Sequence, residues 1–222
     1  MKSTQQIDQS IRNLTDSVNS YGMGLEYSSI AASQKVLNEI NKIAKEELEH
    51  VRVELENYND IIKEGPLAKE NKRDRNHRHL TDFFKKYGLQ VSQKILKDIT
   101  DDCIIEINTL KHKQIFRSVN FFTVSSYDLG ILTFVPWSEL FHRPKNIFTK
   151  ILSQIEILLK NNIDYMIPNI PRHILTEIGT NRKFTYKMQS IACVTDELSG
   201  LPMGYLTIIS VDKRNSNIQL VQ

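Results

Sequence analysis

An α+β fold is predicted for this chain: a helical N-terminal region followed by one domain built on an antiparallel sheet. Three observations predict it. Apolar residues recur at helical spacing through the first third of the chain. A polar, basic stretch at 69–79 then breaks that pattern. Near the end, two apolar runs at 183–194 and 203–211 read as long paired strands joined by a turn.

The totals set the frame. A length of 222 residues accommodates one ordinary domain plus an extension, or two small domains. With 40% hydrophobic and 25% charged residues the composition is globular, not disordered. A formal charge of +3 is too small for a dedicated nucleic-acid coat, and most of the excess sits in one short stretch. Cys103 and Cys193 are the only cysteines, each among apolar neighbours. Two isolated thiols suit a reducing compartment, so a cytoplasmic location is expected, and they cannot form a zinc site alone. The N-terminus has no apolar core of a signal peptide. No apolar run approaches the roughly 20 residues that cross a bilayer, so no membrane association is expected.

Element by element, Ile7, Ile11, Leu14 and Val18 form a helical stripe over 4–20, with Ser3 or Thr4 as N-cap. Tyr21-Gly22-Met23-Gly24 should interrupt it. A longer helix is expected from about 27 to 64, stopped by Gly65-Pro66. Within it Leu37, Ala44, Val51 and Tyr58 recur every seven residues, and Leu48, Leu55 and Ile62 fill the intervening seam positions. This is a coiled-coil pattern with Asn41 at an a-type position, and it points to a homodimer through the N-terminal helices. The alternative is an ordinary amphipathic helix packed on the first helix or on the second domain.

Residues 69–79 hold five basic and two acidic residues and no apolar side chain. They form either a patch for an anionic partner such as nucleic acid, or a solvated linker, or the polar face of a helix continuing into Leu80, Phe83 and Phe84. Leu80, Phe83, Phe84, Tyr87, Val91, Ile95 and Ile99 then predict a helix over 80–99. Strands follow at 103–107 and 115–119 as a hairpin, with short helices over 120–140 and an amphipathic helix over 146–160. Residues 161–181 carry Pro168 and Pro171 and are ambiguous between helix, strand and loop. The expected organisation is therefore 1–66 helical, 67–89 linker and connecting helix, 90–213 the sheet domain, and 214–222 a polar tail.

No phosphate-cradling, dinucleotide-binding, zinc-protease or serine-elbow motif occurs, so no enzyme is expected. Asp101-Asp102 could be imagined holding a metal, but adjacent strand residues point to opposite faces, and a cap is the simpler role.

At 90–213 the chain resembles the PAS sensory-domain family. Asp98-Ile99-Thr100-Asp101-Asp102-Cys103-Ile104-Ile105-Glu106 is similar to that family's entry into its first strand. Val119-Asn120-Phe121-Phe122 followed by Ser126-Tyr127 is similar to its passage into the short helices, with Ser126 where Gly is usual. Pro136-Trp137-Ser138-Glu139-Leu140-Phe141-His142 resembles the close of that region, and Asp196-Glu197-Leu198-Ser199-Gly200-Leu201-Pro202-Met203-Gly204 the last hairpin.

The resemblance implies a five-stranded antiparallel sheet. It also implies an interior pocket walled by Phe121, Phe122, Tyr127, Phe134, Trp137, Phe141, Tyr186 and Met188; the alternative is a closed, packed core. His142 and His173 are the positions a haem-binding relative would use, whereas neither cysteine sits in the motif of the flavin photosensors, and no cofactor is expected. The implied role is a non-enzymatic signal-sensing or regulatory protein, in transcription regulation among other settings. It would bind a small ligand or a protein partner and bias the packing of its N-terminal helices. The competing expectation is nucleic-acid binding through 69–79.

Overall fold

The computed structural model describes residues 2–180 and 182–212, apart from the side chains of residues 2 and 3; the tail expected at 214–222 lies outside them. In chain order the helices and strands are α1 Lys2–Asn19, α2 Gln34–Ile40, α3 Lys45–Ile62, α4 Lys72–Tyr87, β1 Leu89–Val91, α5 Gln93–Leu96, β2 Ile104–Thr109 and β3 Gln114–Arg117. These are followed by α6 Leu129–Phe134, α7 Trp137–Leu140, β4 Phe141–His142, α8 Lys145–Lys160, β5 Tyr165–Met166, β6 His173–Glu177, β7 Lys183–Asp196 and β8 Pro202–Asp212. The chain is thus α+β with an antiparallel sheet. Contact density divides it into two units: residues up to Ala68 together with Ser125–Leu140, and Lys69–Val124 together with the chain from Phe141 onward. The span 90–213 is therefore divided between them.

In the helical unit the stripe Ile7, Ile11, Leu14 and Val18 is buried as its spacing requires. Helix α1 already begins at Lys2, so Thr4 lies inside it and does not cap it. The long helix expected over 27–64 is broken. A 3-10 turn, Ile30–Ala32, leads into α2, which ends at its C-cap Asn41, and α3 starts after its N-cap Ala44. Two proposed seam residues are therefore cap positions on the surface. Of the other six, Leu48, Val51, Leu55 and Ile62 are buried in α3, which packs on α1 of the same chain, while Leu37 in α2 and Tyr58 in α3 are half-buried. No coiled coil is formed among the described residues; the apolar seam is satisfied within the chain. Ser17 Oγ donates to Asn59 Oδ1 (2.7 Å) and Tyr21 Oη to the Ile62 carbonyl (2.9 Å), which fixes the register of the two helices. Helix α6 packs against α1 and α2.

In the second unit all pairings are antiparallel and run in the order β3-β2-β8-β7-β6-β4, with β1 and β5 also on β7. The sheet has eight strands where five were expected. The reason is the length of β7, 14 residues, whose one edge is shared by β6, β5 and β1 in succession. Residues 161–181, ambiguous in sequence, supply β5 and β6. The helix expected over 80–99 stops at Gly88, which takes the left-handed conformation (φ 60°) as C-cap of α4 and turns the chain into β1. Helix α8 matches expectation and buries Ile147, Ile151, Ile155 and Leu158. The β7–β8 turn is set by Asp196, whose carboxylate accepts from Ser199 N and Oγ (both 2.7 Å), with Gly200 at positive φ.

Candidate functional site

Strand register decides which side chains meet, because directly opposed residues share a face. Arg117 of β3 lies opposite Glu106 of β2, and Glu106 lies opposite Thr207 of β8. Further along the same face His173 of β6 opposes Tyr186 of β7, and Tyr186 opposes Val211 of β8. A bulge between Met188 and Ser190 keeps the two rows on one side: Met188 opposes Ile209 and Ile191 opposes Thr207.

Charged and polar groups stand among the apolar residues of this face, the fully buried Glu177 of β6 included, whose Oε2 accepts from Thr180 Oγ1 (2.8 Å). Arg117 Nε stands 3.6 Å from Glu106 Oε1, with both side chains nearly excluded from water. The Arg117 guanidinium lies over the Phe121 ring at 3.8 Å, and that of Arg143 over the Tyr186 ring at 4.8 Å. The His173 ring lies 5.3 Å from that of Tyr186. The rings of Phe121, Phe141 and Phe184 follow one another at 6.4 and 6.2 Å.

Burial governs the ionisation of these groups. It raises the phenol of Tyr186 above its ordinary value, and the negative charge of Glu106 adds to this while Arg143 opposes it. Tyr205 is raised by burial and then by Glu106. His173 is lowered, first by burial, with a hydrogen bond to the Pro171 carbonyl acting against it and the charge of Arg143 reinforcing it. A carbonyl only accepts, so the Nδ1 of His173, 3.0 Å from Pro171 O, carries the proton. Its Nε2 is then a lone-pair acceptor. That atom, Thr207 Oγ1 and Arg143 Nε are buried with no hydrogen-bond partner among the described residues. Buried polar groups are normally paired, with protein, ordered water or a ligand.

The eight pocket residues expected from sequence fall into two sets. Phe121, Phe122, Phe141, Tyr186 and Met188 are buried in the sheet unit, and Tyr127, Phe134 and Trp137 belong to the helical unit. Tyr127 donates its hydroxyl to the Leu140 carbonyl (2.9 Å). His142 is exposed on β4. Glu106, Arg117, Arg143 and Thr207 escaped sequence reasoning. One signal was present: Glu106 interrupts the apolar run Cys103-Ile104-Ile105-Glu106-Ile107 at an inward position.

The basic stretch 69–79 becomes the N-terminal half of α4 and its cap, with Asn71 Oδ1 accepting from Asp74 N (2.7 Å). Arg75, Asn76 and His79 point inward and are buried, which corrects the expectation of a solvated linker. Arg75 Nη2 donates to Asn120 Oδ1, while Asn120 Nδ2 donates to the carbonyls of Asp101 (2.8 Å) and Cys103 (2.9 Å). This network clamps α4 to the start of β2. Arg78 grips Glu70 through two 2.8 Å hydrogen bonds, and Lys72 faces Asp102 at 3.5 Å. Among the described residues only Lys69 and Arg73 of the five cations keep exposed heads without a carboxylate.

Compared with known protein-family models and with curated proteins, the sequence matches none of them. No helix among the described residues is long and apolar enough to cross a membrane, and no cluster of three metal-ligating side chains occurs among them.

Proposed function

We propose that this chain is a regulatory sensor that acts by binding, with the sheet unit as a PAS-like receptor for a small molecule. The elements of the sheet unit support the reading: the β2–β3 hairpin, the long helix α8 and the β7–β8 pair, closed into one sheet by β2 beside β8. The observation that carries it is the set of buried polar groups on one sheet face. Isolated charges and unpaired hydrogen-bonding atoms cost several kcal/mol to bury, an outlay a purely structural core avoids. Receptor interiors retain such groups because a ligand completes them.

Chain path gives a route for the output. The backbone leaves the sheet unit at Val124, three residues after Phe121, and re-enters at Phe141, two residues before Arg143. A ligand that repositions Phe121 and Arg143 pulls on both ends of Ser125–Leu140, which packs with the N-terminal helices. The shift is limited to the ligand's differential affinity for the two arrangements. The buried free thiols Cys103 and Cys193 suit a reducing compartment.

Native mass spectrometry of the purified full chain tests this reading. A retained small molecule is expected, and the same spectrum reports whether the chain is a dimer. A monomer carrying nothing would leave a protein-binding role in place of ligand sensing. The nucleic-acid reading has less support now that Arg75 is buried and Arg78 and Lys72 face carboxylates. It would require affinity for DNA or RNA that falls steeply as salt rises.

A further inference from the structure

We infer that the Arg143–Tyr186–His173 corner of the sheet face binds a small organic carboxylate that also bears a hydroxyl or amide donor. The inference rests on the sensor reading above and names the ligand chemistry. Three side chains from three elements converge here: Arg143 from the segment before α8, His173 from β6 and Tyr186 from β7. The Arg143 guanidinium lies 4.8 Å from the centre of the Tyr186 ring and hydrogen-bonds the Tyr186 side chain, and the His173 ring lies tilted at 5.3 Å, so Tyr186 gathers both groups at one place. Arg143 forms no ion pair with a carboxylate among the described residues, and its Nε is buried without a partner. A flat guanidinium offers paired N–H donors in the geometry of a carboxylate fork, which makes an acid its natural complement.

The second requirement comes from His173, which is only 8% exposed. Its Nδ1 proton is used by Pro171, so Nε2 presents a lone pair that only a donor can satisfy. A simple inorganic anion meets the first requirement and fails the second. A hydroxy acid meets both, and the ring run from Phe184 through Phe141 to Phe121 offers apolar contact to its carbon skeleton.

The experiment uses the full chain and three probes: L-malate, succinate and sulfate. Binding is measured by titration calorimetry, with the shift in thermal midpoint as a second readout. Malate should bind saturably, succinate about tenfold more weakly for want of the hydroxyl, and sulfate weakest of all. Arg143→Gln should abolish binding of both acids. His173→Phe should leave succinate binding in place and remove the malate preference, a readout that a folding defect alone does not produce. Circular dichroism confirms that each variant is folded. Absence of saturable binding by any carboxylate probe, or an Arg143→Gln variant that binds malate as well as the parent, overturns the assignment. A neutral molecule retained in the native spectrum with no carboxylate binding would overturn this inference while leaving the sensor reading intact.

Discussion

At the scale of single residues, the chain tolerates buried polarity only where geometry supports it. Removing one partner of the Glu106–Arg117 pair leaves the other charge stranded, so Glu106→Gln is expected to cost about 3–5 kcal/mol in urea unfolding. The double change Glu106→Leu with Arg117→Met should cost clearly less than the sum of the two single changes. His79 is pushed down to about 3, first by burial and then by the charges of Arg78 and Arg75, with Glu70 opposing. Its folded value lies below the unfolded value of about 6.5, so the unfolded chain takes up the proton first. Stability contributed by neutral His79 is therefore full above about pH 6.5 and falls as pH drops toward 3. His173, lowered first by burial, adds to the loss as pH falls below about 6.5. Urea midpoints measured from pH 7 to 4 should decline less steeply in His79→Gln than in the parent. Gly204 makes a different point: a Cβ there would overlap the carbonyl oxygen of Asn108 on the paired strand. Gly204→Ala should cost about 1–3 kcal/mol.

At the scale of elements, period was legible and interruption was not. The stripe of α1, the face of α8 and the alternation of Phe184, Tyr186 and Met188 against Lys183, Thr185 and Lys187 all follow from spacing, and burial agrees. The heptads of 37–62 were equally visible, yet a seven-residue repeat states only that one face is apolar, and the partner turned out to be α1. The breaks at Asn41–Ala44 and Gly88 depend on backbone angles that a stripe does not encode. The short strands β1, β4 and β5 have two or three residues each and borrow their structure from a longer partner, β7 for β1 and β5 and β6 for β4, so no local pattern announces them. For the site, the aromatic members could be read in sequence. The charged members could not, because strand pairing across more than a hundred residues of chain brings Glu106 to Thr207. A direct check on α2 and α3 follows. Asn41→Val, at an exposed cap, should change unfolding free energy by no more than about 0.5 kcal/mol and leave the sedimentation coefficient unchanged. A seam Asn would shift both.

At the scale of the whole molecule, the grouping of Ser125–Leu140 with the N-terminal helices makes stability regional. Ile62 is fully buried in α3, and Ile62→Ala is expected to cost about 2–5 kcal/mol. Hydrogen exchange followed by mass spectrometry should then show faster exchange in α1, α3 and also α6, which packs on α1. Amides of β7 and β8 should retain their protection. Equal loss in both regions would mean that the two units unfold as one.

The pairing of β2 with β8, from Ile104 opposite Ile209 to Thr109 opposite Gly204, has a consequence for biogenesis. A ribosome delivers β2 long before its neighbour, so for many seconds the nascent hairpin offers a bare hydrogen-bonding edge flanked by Ile105 and Ile107. Every segment of the helical unit has by contrast been synthesised once Leu140 emerges, well before β7 begins. Assembly is therefore expected to proceed helices first and sheet last, with the interval between them the moment at which a chaperone matters most.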